Sequence, residues 1–180
     1  MITITDLTAT HAPQAAEILV LAFREHWPEA WPTLDDALDE VREALKPERI
    51  VCAALDETGA VLGWIGGIPQ YEGHVWELHP LAVHPTHQRR GLGRKLVEDF
   101  EARVRARGGL TIQLGTDDED DMTSLAGADL YEGVWDKIAA IRNLKGHPYT
   151  FYQKYGYTIT GVVPDANGRG KPDILMSKRV

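Results

Sequence analysis

Val83-His84-Pro85-Thr86-His87-Gln88-Arg89-Arg90-Gly91-Leu92-Gly93-Arg94-Lys95-Leu96 reads as a strand end that passes through a basic turn into a helix. Gly91 and Gly93 place backbone N–H groups at the helix start without side-chain cover. The first N–H groups of a helix have no partner within it, and the positive end of the helix dipole lies among them. Such a start attracts anions. Arg89 and Arg90 add full positive charge beside it. A diphosphate is the guest that this combination suits.

Two other phosphate-binding patterns fit less well. A P-loop needs Gly-x-x-x-x-Gly-Lys followed by Ser or Thr, and the chain has none. A dinucleotide fingerprint needs a third glycine where Leu96 stands, with an acidic ribose partner further on. Two glycines at a helix start are also compatible with a plain turn that carries a solvated basic face. The arginine pair and the apolar strand before it favour phosphate. Coenzyme A carries the required diphosphate.

The totals narrow the choices. A chain of 180 residues, 43% hydrophobic and 26% charged, suits one packed domain over 1–180. With 19 Lys and Arg against 27 Asp and Glu, the net charge is −8, which argues against nucleic acid and favours cationic substrates. The single cysteine, Cys52, excludes an internal disulfide and a Cys-rich metal centre. The opening residues lack a secretion-signal pattern and no apolar run of about 18 residues exists, so the expected location is the cytoplasm, with no membrane span.

Outward from the basic turn the pattern is mixed α/β. Strands are expected at 2–5, 50–55, 61–68, 75–83, 110–114, 157–163 and 174–178. A first helix, capped by Thr10, is expected to run to about Trp27, and a second to follow the cap Thr33. The middle helix spans 91–107 and ends at Gly108-Gly109. Further helices are expected at 130–144 and 147–155. Pro80 interrupts an otherwise regular strand. It cannot donate to a ladder, so it implies a bulge or a strand leaving its neighbour, unless the strand ends at His79.

The Gln88-Arg89-Arg90-Gly91-Leu92-Gly93 run resembles the coenzyme-A loop of the GNAT N-acetyltransferases. Other strings are similar to the aminoglycoside 6′-N-acetyltransferases, in particular their small, single-domain, homodimeric members. They are Trp64-Ile65-Gly66-Gly67-Ile68-Pro69-Gln70-Tyr71, Trp76-Glu77-Leu78-His79-Pro80-Leu81, Leu114-Gly115-Thr116-Asp117-Asp118, Asp129-Leu130-Tyr131-Glu132, His147-Pro148-Tyr149 with Phe151-Tyr152, and Pro164-Asp165-Ala166-Asn167-Gly168. The likeness runs from about Pro28 to the end, and the phosphate loop is more regular here than in the relatives it otherwise resembles. It implies a mixed, mostly antiparallel sheet with splayed middle strands flanked by helices. It also implies acetyl-CoA as co-substrate, a cationic aminoglycoside as acceptor, no metal, and a homodimer. Leu81, Ala82, Val83, Gln88, Arg89, Arg90, Gly91, Leu92, Gly93, Arg94, Asn143 and Tyr152 are the coenzyme-binding residues implied.

Acetyl transfer to an amine needs the ammonium to lose a proton before its nitrogen attacks. Glu77 and His79 are two apart on one strand and share a face, with Leu81 on the same side if the strand stays regular. Glu77 is the candidate base or amine-orienting carboxylate. His79 is a second candidate for either job, or else bonds the backbone. The resemblance puts the Leu81 N–H at the acetyl oxygen, and Tyr152 near the sulfur as proton donor or holder. Phe151, Tyr152 and Tyr155 also read as a core aromatic cluster. Asp117 and Asp118, helped by Glu132, are candidate carboxylates for a polycation, although such a charge run also reads as a solvated loop. Trp27, Trp31 and Tyr71 offer aromatic faces to it, or pack in the core. Another amine acetyltransferase and a silent acyl-CoA-binding domain are the rival readings.

Overall fold

A computed structural model describes residues 2–180. The chain divides into two compact units, Met1–Ile112 with Val180, and Gln113–Arg179. The first unit contains β1 (Thr3–Asp6), α1 (Ala12–Phe23), α2 (Leu34–Ala44), β2 (Ile50–Leu55), β3 (Val61–Gln70), β4 (Val75–Val83) and α3 (Leu92–Ala106). Its four strands pair antiparallel in sequence order. Strand β5 (Thr111–Asp117) leads into the second unit, which holds α4 (Val134–Ala139), α5 (Tyr149–Lys154), β6 (Thr158–Val163) and β7 (Asp173–Arg179), with strands in the order β5-β7-β6. No helix among the described residues is long and apolar enough to cross a membrane.

In the first unit, α1 and α2 lie on one face of the strands and α3 on the other. Ala15, Ile18 and Leu19 of α1 and Ala37, Val41 and Ala44 of α2 form one buried cluster with Ala53, Trp64 and Ala82. The Trp64 indole N–H donates to the Ala15 carbonyl at 2.9 Å, which fixes the helix on the strand. On the other face Leu92, Leu96, Val97, Phe100 and Val104 recur at helical spacing and are buried.

The irregularity expected at Pro80 is a bulge. Gly67 pairs with Leu78 and Ile65 with Leu81, so one residue of β3 faces two of β4, His79 and Pro80. The bulge exchanges the faces of β4. Trp76, below it, packs with Phe100 around Gly67 on the α3 side, whereas Ala82, above it, joins the α1–α2 cluster. Leu81, paired with Ile65 next to Trp64, therefore turns away from the face that carries Glu77 and His79. The expectation of a shared side fails because the strand is not regular. Two glycines make room for this. A Cβ on Gly66 would lie 2.5 Å from the His79 carbonyl oxygen, and one on Gly67 would overlap the Phe100 ring.

Three expected boundaries move. A 3-10 turn at Ala9–His11 precedes α1 and is capped by Thr8, whose N–H donates to His11 Nδ1 at 3.1 Å, while the expected cap Thr10 bonds the Thr8 hydroxyl. Helix α1 begins at Ala12 and ends at Phe23, and turns closed by Trp27 N–H and Ala30 N–H follow it. The expected helix 130–144 shrinks to α4. Gly133 is left-handed at φ 58, and Ser124 exchanges two hydrogen bonds with Arg142, which draws 140–144 against 122–124. Thr33 caps α2 as expected, accepting from Asp36 N–H at 3.2 Å.

Gly66→Ala and Gly67→Ala should each lower stability by about 1–3 kcal/mol, the first because the His79 backbone must move and the second because the buried Phe100 ring must. Urea denaturation of each variant against the wild type measures the loss.

Candidate active site

The turn after β4 has the form expected of an anion site. A 3-10 turn at Pro85–His87 follows Val83, Arg89 has φ 59, and Gly91 has φ 81 as the residue before α3. Successive backbone N–H groups in such a turn can face a common concavity, which suits phosphate oxygens. Alanine at Gly91 meets no atom within 4 Å, so glycine is needed for the backbone rather than for space. The first α3 hydrogen bond is from Lys95 N–H to the Gly91 carbonyl at 3.1 Å, and no side chain caps the helix. The N–H groups of Leu92, Gly93 and Arg94 therefore point outward without an intrahelical acceptor. Arg89 and Arg90 are exposed. Gln88 instead folds back, its amide donating to the Val83 carbonyl at 3.1 Å, and Arg94 pairs with Glu98 at 2.7 Å. These two expected coenzyme residues thus have jobs within the turn and the helix.

On β4, Glu77 is half-buried and accepts from the Gln70 amide at 3.0 Å. His79 lies with its Nε2 3.8 Å from Glu40 of α2 and its ring 5.8 Å from that of Trp31. Trp31 stacks edge-on against Phe23 at 4.8 Å, and Trp27 lies 5.7 Å from the same ring. Trp27 and Trp31 thus form one aromatic group with Phe23. Tyr71 is 74% exposed, with φ 48. Cys52 is fully buried, and burial pushes its thiol up, so it offers no nucleophile for an acyl-enzyme.

In the second unit the acidic run after β5 divides into different roles. Asp118 is fully buried, and its two carboxylate oxygens accept from Met122 and Thr123 N–H at 2.7 and 2.8 Å. It holds the loop from inside and has no surface to offer a cation. Asp117 is half-buried and accepts from the Asn167 amide at 2.5 Å. Glu119 is half-buried too, whereas Asp120, Asp121 and Glu132 are exposed. Asn143 donates its amide to the His147 carbonyl and Thr150 hydroxyl at 2.8 and 3.2 Å, and its oxygen accepts from His147 N–H. That side chain is spent on the turn before α5. His147, which composition alone does not single out, is buried and reaches the Asp117 carbonyl at 3.1 Å.

Tyr152 sits in an aromatic group, 5.0 Å from Phe151 and 5.6 Å from Tyr157. Phe151 also meets Tyr155 at 4.9 Å, so the aromatic cluster expected on this short helix is present. Burial pushes the Tyr152 phenol above its ordinary range. Among the described residues no cluster of His, Cys, Asp and Glu is placed to hold a metal ion.

Residues 13–127 match the model of the Acetyltransferase (GNAT) family, and the chain belongs to that family. Among solved structures it is similar to an aminoglycoside 6′-N-acetyltransferase complexed with coenzyme A, at 43% identity and TM-score 0.89 over 98% of this chain and 96% of that one. An Enterococcus faecium aminoglycoside 6′-N-acetyltransferase gives 43% identity and TM-score 0.87, with 98% and 96% covered. Aminoglycoside 6′-acetyltransferase type Ii gives 36% and 0.72, again over 98% and 96%. A search of the curated proteins finds no match.

Asp118→Asn should destabilise the second unit by about 1–3 kcal/mol, because an amide –NH2 replaces one acceptor and faces a backbone N–H. Faster hydrogen exchange at Met122 and Thr123, with little change in the first unit, is the expected signature.

Proposed function

We propose that this protein transfers the acetyl group of acetyl-CoA to the 6′-amino group of aminoglycosides. The observation that carries the proposal is the open, left-handed turn at Arg89–Gly91 ahead of α3, in a chain alike over nearly its whole length to enzymes of that name. Residues 89–93 suit a diphosphate, and acetyl-CoA supplies an activated thioester. The amine nitrogen bonds to the acetyl carbon, the carbon–sulfur bond breaks, and the ammonium gives up two protons: the second ends on the departing thiolate, and the first must leave before the nitrogen attacks. Glu77 takes that proton, directly or through water, or orients the amine while His79 takes it. No residue of the chain need be acylated, in keeping with the buried thiol of Cys52. The Leu81 N–H is the donor assigned to the developing oxyanion.

The raised Tyr152 phenol favours one of its two roles. A thiol has an ordinary pKa of about 8.5 and a phenol about 10. A phenol pushed higher still gives its proton up to a thiolate only uphill, so Tyr152 is assigned to hold the sulfur by hydrogen bonding. Holding amine and thioester together supplies much of the rate. The exposed carboxylates Asp120, Asp121 and Glu132 draw the polycation in, while Asp118 shapes their loop. Homodimer formation and a contribution to antibiotic resistance belong to the same proposal and rest on the resemblance; a cytoplasmic location is proposed with them.

Thiol-release kinetics test it. An aminoglycoside with a 6′-amine should turn over, and its 6′-hydroxyl analogue should not; turnover of the analogue at another amine would refute the 6′ assignment. Activity confined to polyamines would favour the broader reading, and coenzyme binding without thiol release the silent one. Arg89→Glu combined with Arg90→Glu should raise KM for acetyl-CoA at least about tenfold while leaving the acceptor KM within about twofold. Tyr152→Phe should cost less than about tenfold in kcat. Added salt should raise the acceptor KM far more than that of acetyl-CoA.

A further inference from the structure

The acids of α2 do not all serve the same end. Asp36 caps the helix by accepting from Thr33, Asp39 pairs with Arg42 at 2.7 Å, and Glu43 pairs with Lys46 at 2.6 Å. Glu40 instead flanks the buried residues Ala37, Val41 and Ala44 and reaches β4. Its side chain is 21% exposed, against 74% for Asp39 next to it. Its Oε1 stands 3.8 Å from His79 Nε2, and the ring of that imidazole lies 5.8 Å from the Trp31 ring. A carboxylate and an aromatic ring thus flank His79, whose side chain stays 40% exposed on the face of β4 that carries Glu77.

A carboxylate beside one ring nitrogen favours the tautomer that carries its proton there, and leaves the lone pair on the other nitrogen. We propose that Glu40 is a positioning residue for the acceptor amine: it fixes the His79 imidazole with Nε2–H toward α2, leaving Nδ1 as the nitrogen that meets the acceptor. The inference rests on the acetyl-transfer reading above. With Glu77 orienting the amine, the proton of the breaking acceptor N–H bond passes to His79 Nδ1 and its electron pair stays on the attacking nitrogen. The imidazolium so formed then faces the Glu40 carboxylate. A separation of 3.8 Å is a loose ion-pair contact, and such contacts commonly tighten when substrate is bound.

Nitrogen-15 NMR of the wild-type protein reads the tautomer without any variant. Protonated Nε2 with unprotonated Nδ1 at His79 is expected; the reverse would overturn the proposal. In kinetics, Glu40→Leu should lower kcat roughly tenfold with the KM for acetyl-CoA unchanged, and Glu40→Asp should recover most of that loss. In a His79→Phe background, Glu40→Leu should cost nothing more. Full activity of Glu40→Leu, or losses that multiply in the double variant, would overturn the proposal. If the leucine variant fails to fold, Glu40→Gln, which keeps the shape and removes the charge, serves the same cycle. Wild-type thiol release separates the two readings: its absence would defeat the acetyl-transfer proposal, whereas the tautomer would still decide the placement of His79.

Discussion

The extra residue in β4 at His79-Pro80 is the constraint on which the first unit depends. Opposite it, Gly66 presents a bare Cα to the His79 carbonyl, and no other residue type fits there without displacement. The bulge lets one strand serve two purposes. Below it, Trp76 and Leu78 pack toward α3 while Glu77 and His79 face the helices α1 and α2. Above it the faces exchange, Ala82 enters the α1–α2 cluster, and the strand delivers its end to the Arg89–Gly91 turn. In a regular strand Ala82 would share the α3 side with Trp76 and leave the α1–α2 cluster that it fills.

Polar groups in both units divide between chemistry and scaffolding, and burial separates them. Asp118 and Asn143 satisfy backbone groups at the roots of a long loop. Leaving such groups unmet inside the protein would cost about as much as several surface ion pairs contribute. Asp120, Asp121 and Glu132, the carboxylates proposed to draw in the acceptor, lie at the surface of the same segment. The functional reading of an acidic run therefore attaches to its exposed members, and the structural reading to its buried one.

Much of this was legible in the sequence, because the signals were local. The turn into α3, the cap at Thr33, and the disruption at Pro80 each follow from the conformational limits of a few adjacent residues. The failures were tertiary. Residues 130–144 have a helical pattern, yet Gly133 and the Ser124–Arg142 exchange overrule most of it. The burial of Asp118 follows from backbone groups four and five residues on, and its charge alone signals the opposite. Glu40 and His79 meet only because α2 crosses the strands, and nothing in either neighbourhood announces the pair. The inversion of Leu81 needed the register of the bulge, not merely its presence.

The central claim is that backbone N–H groups at the head of α3 receive the coenzyme diphosphate. A crystal structure with acetyl-CoA bound tests it most directly. The account predicts diphosphate oxygens within hydrogen-bond distance of N–H groups in residues 89–93, with the acyl end directed along β4 past the bulge. A coenzyme held elsewhere, with that turn empty of phosphate, would contradict it.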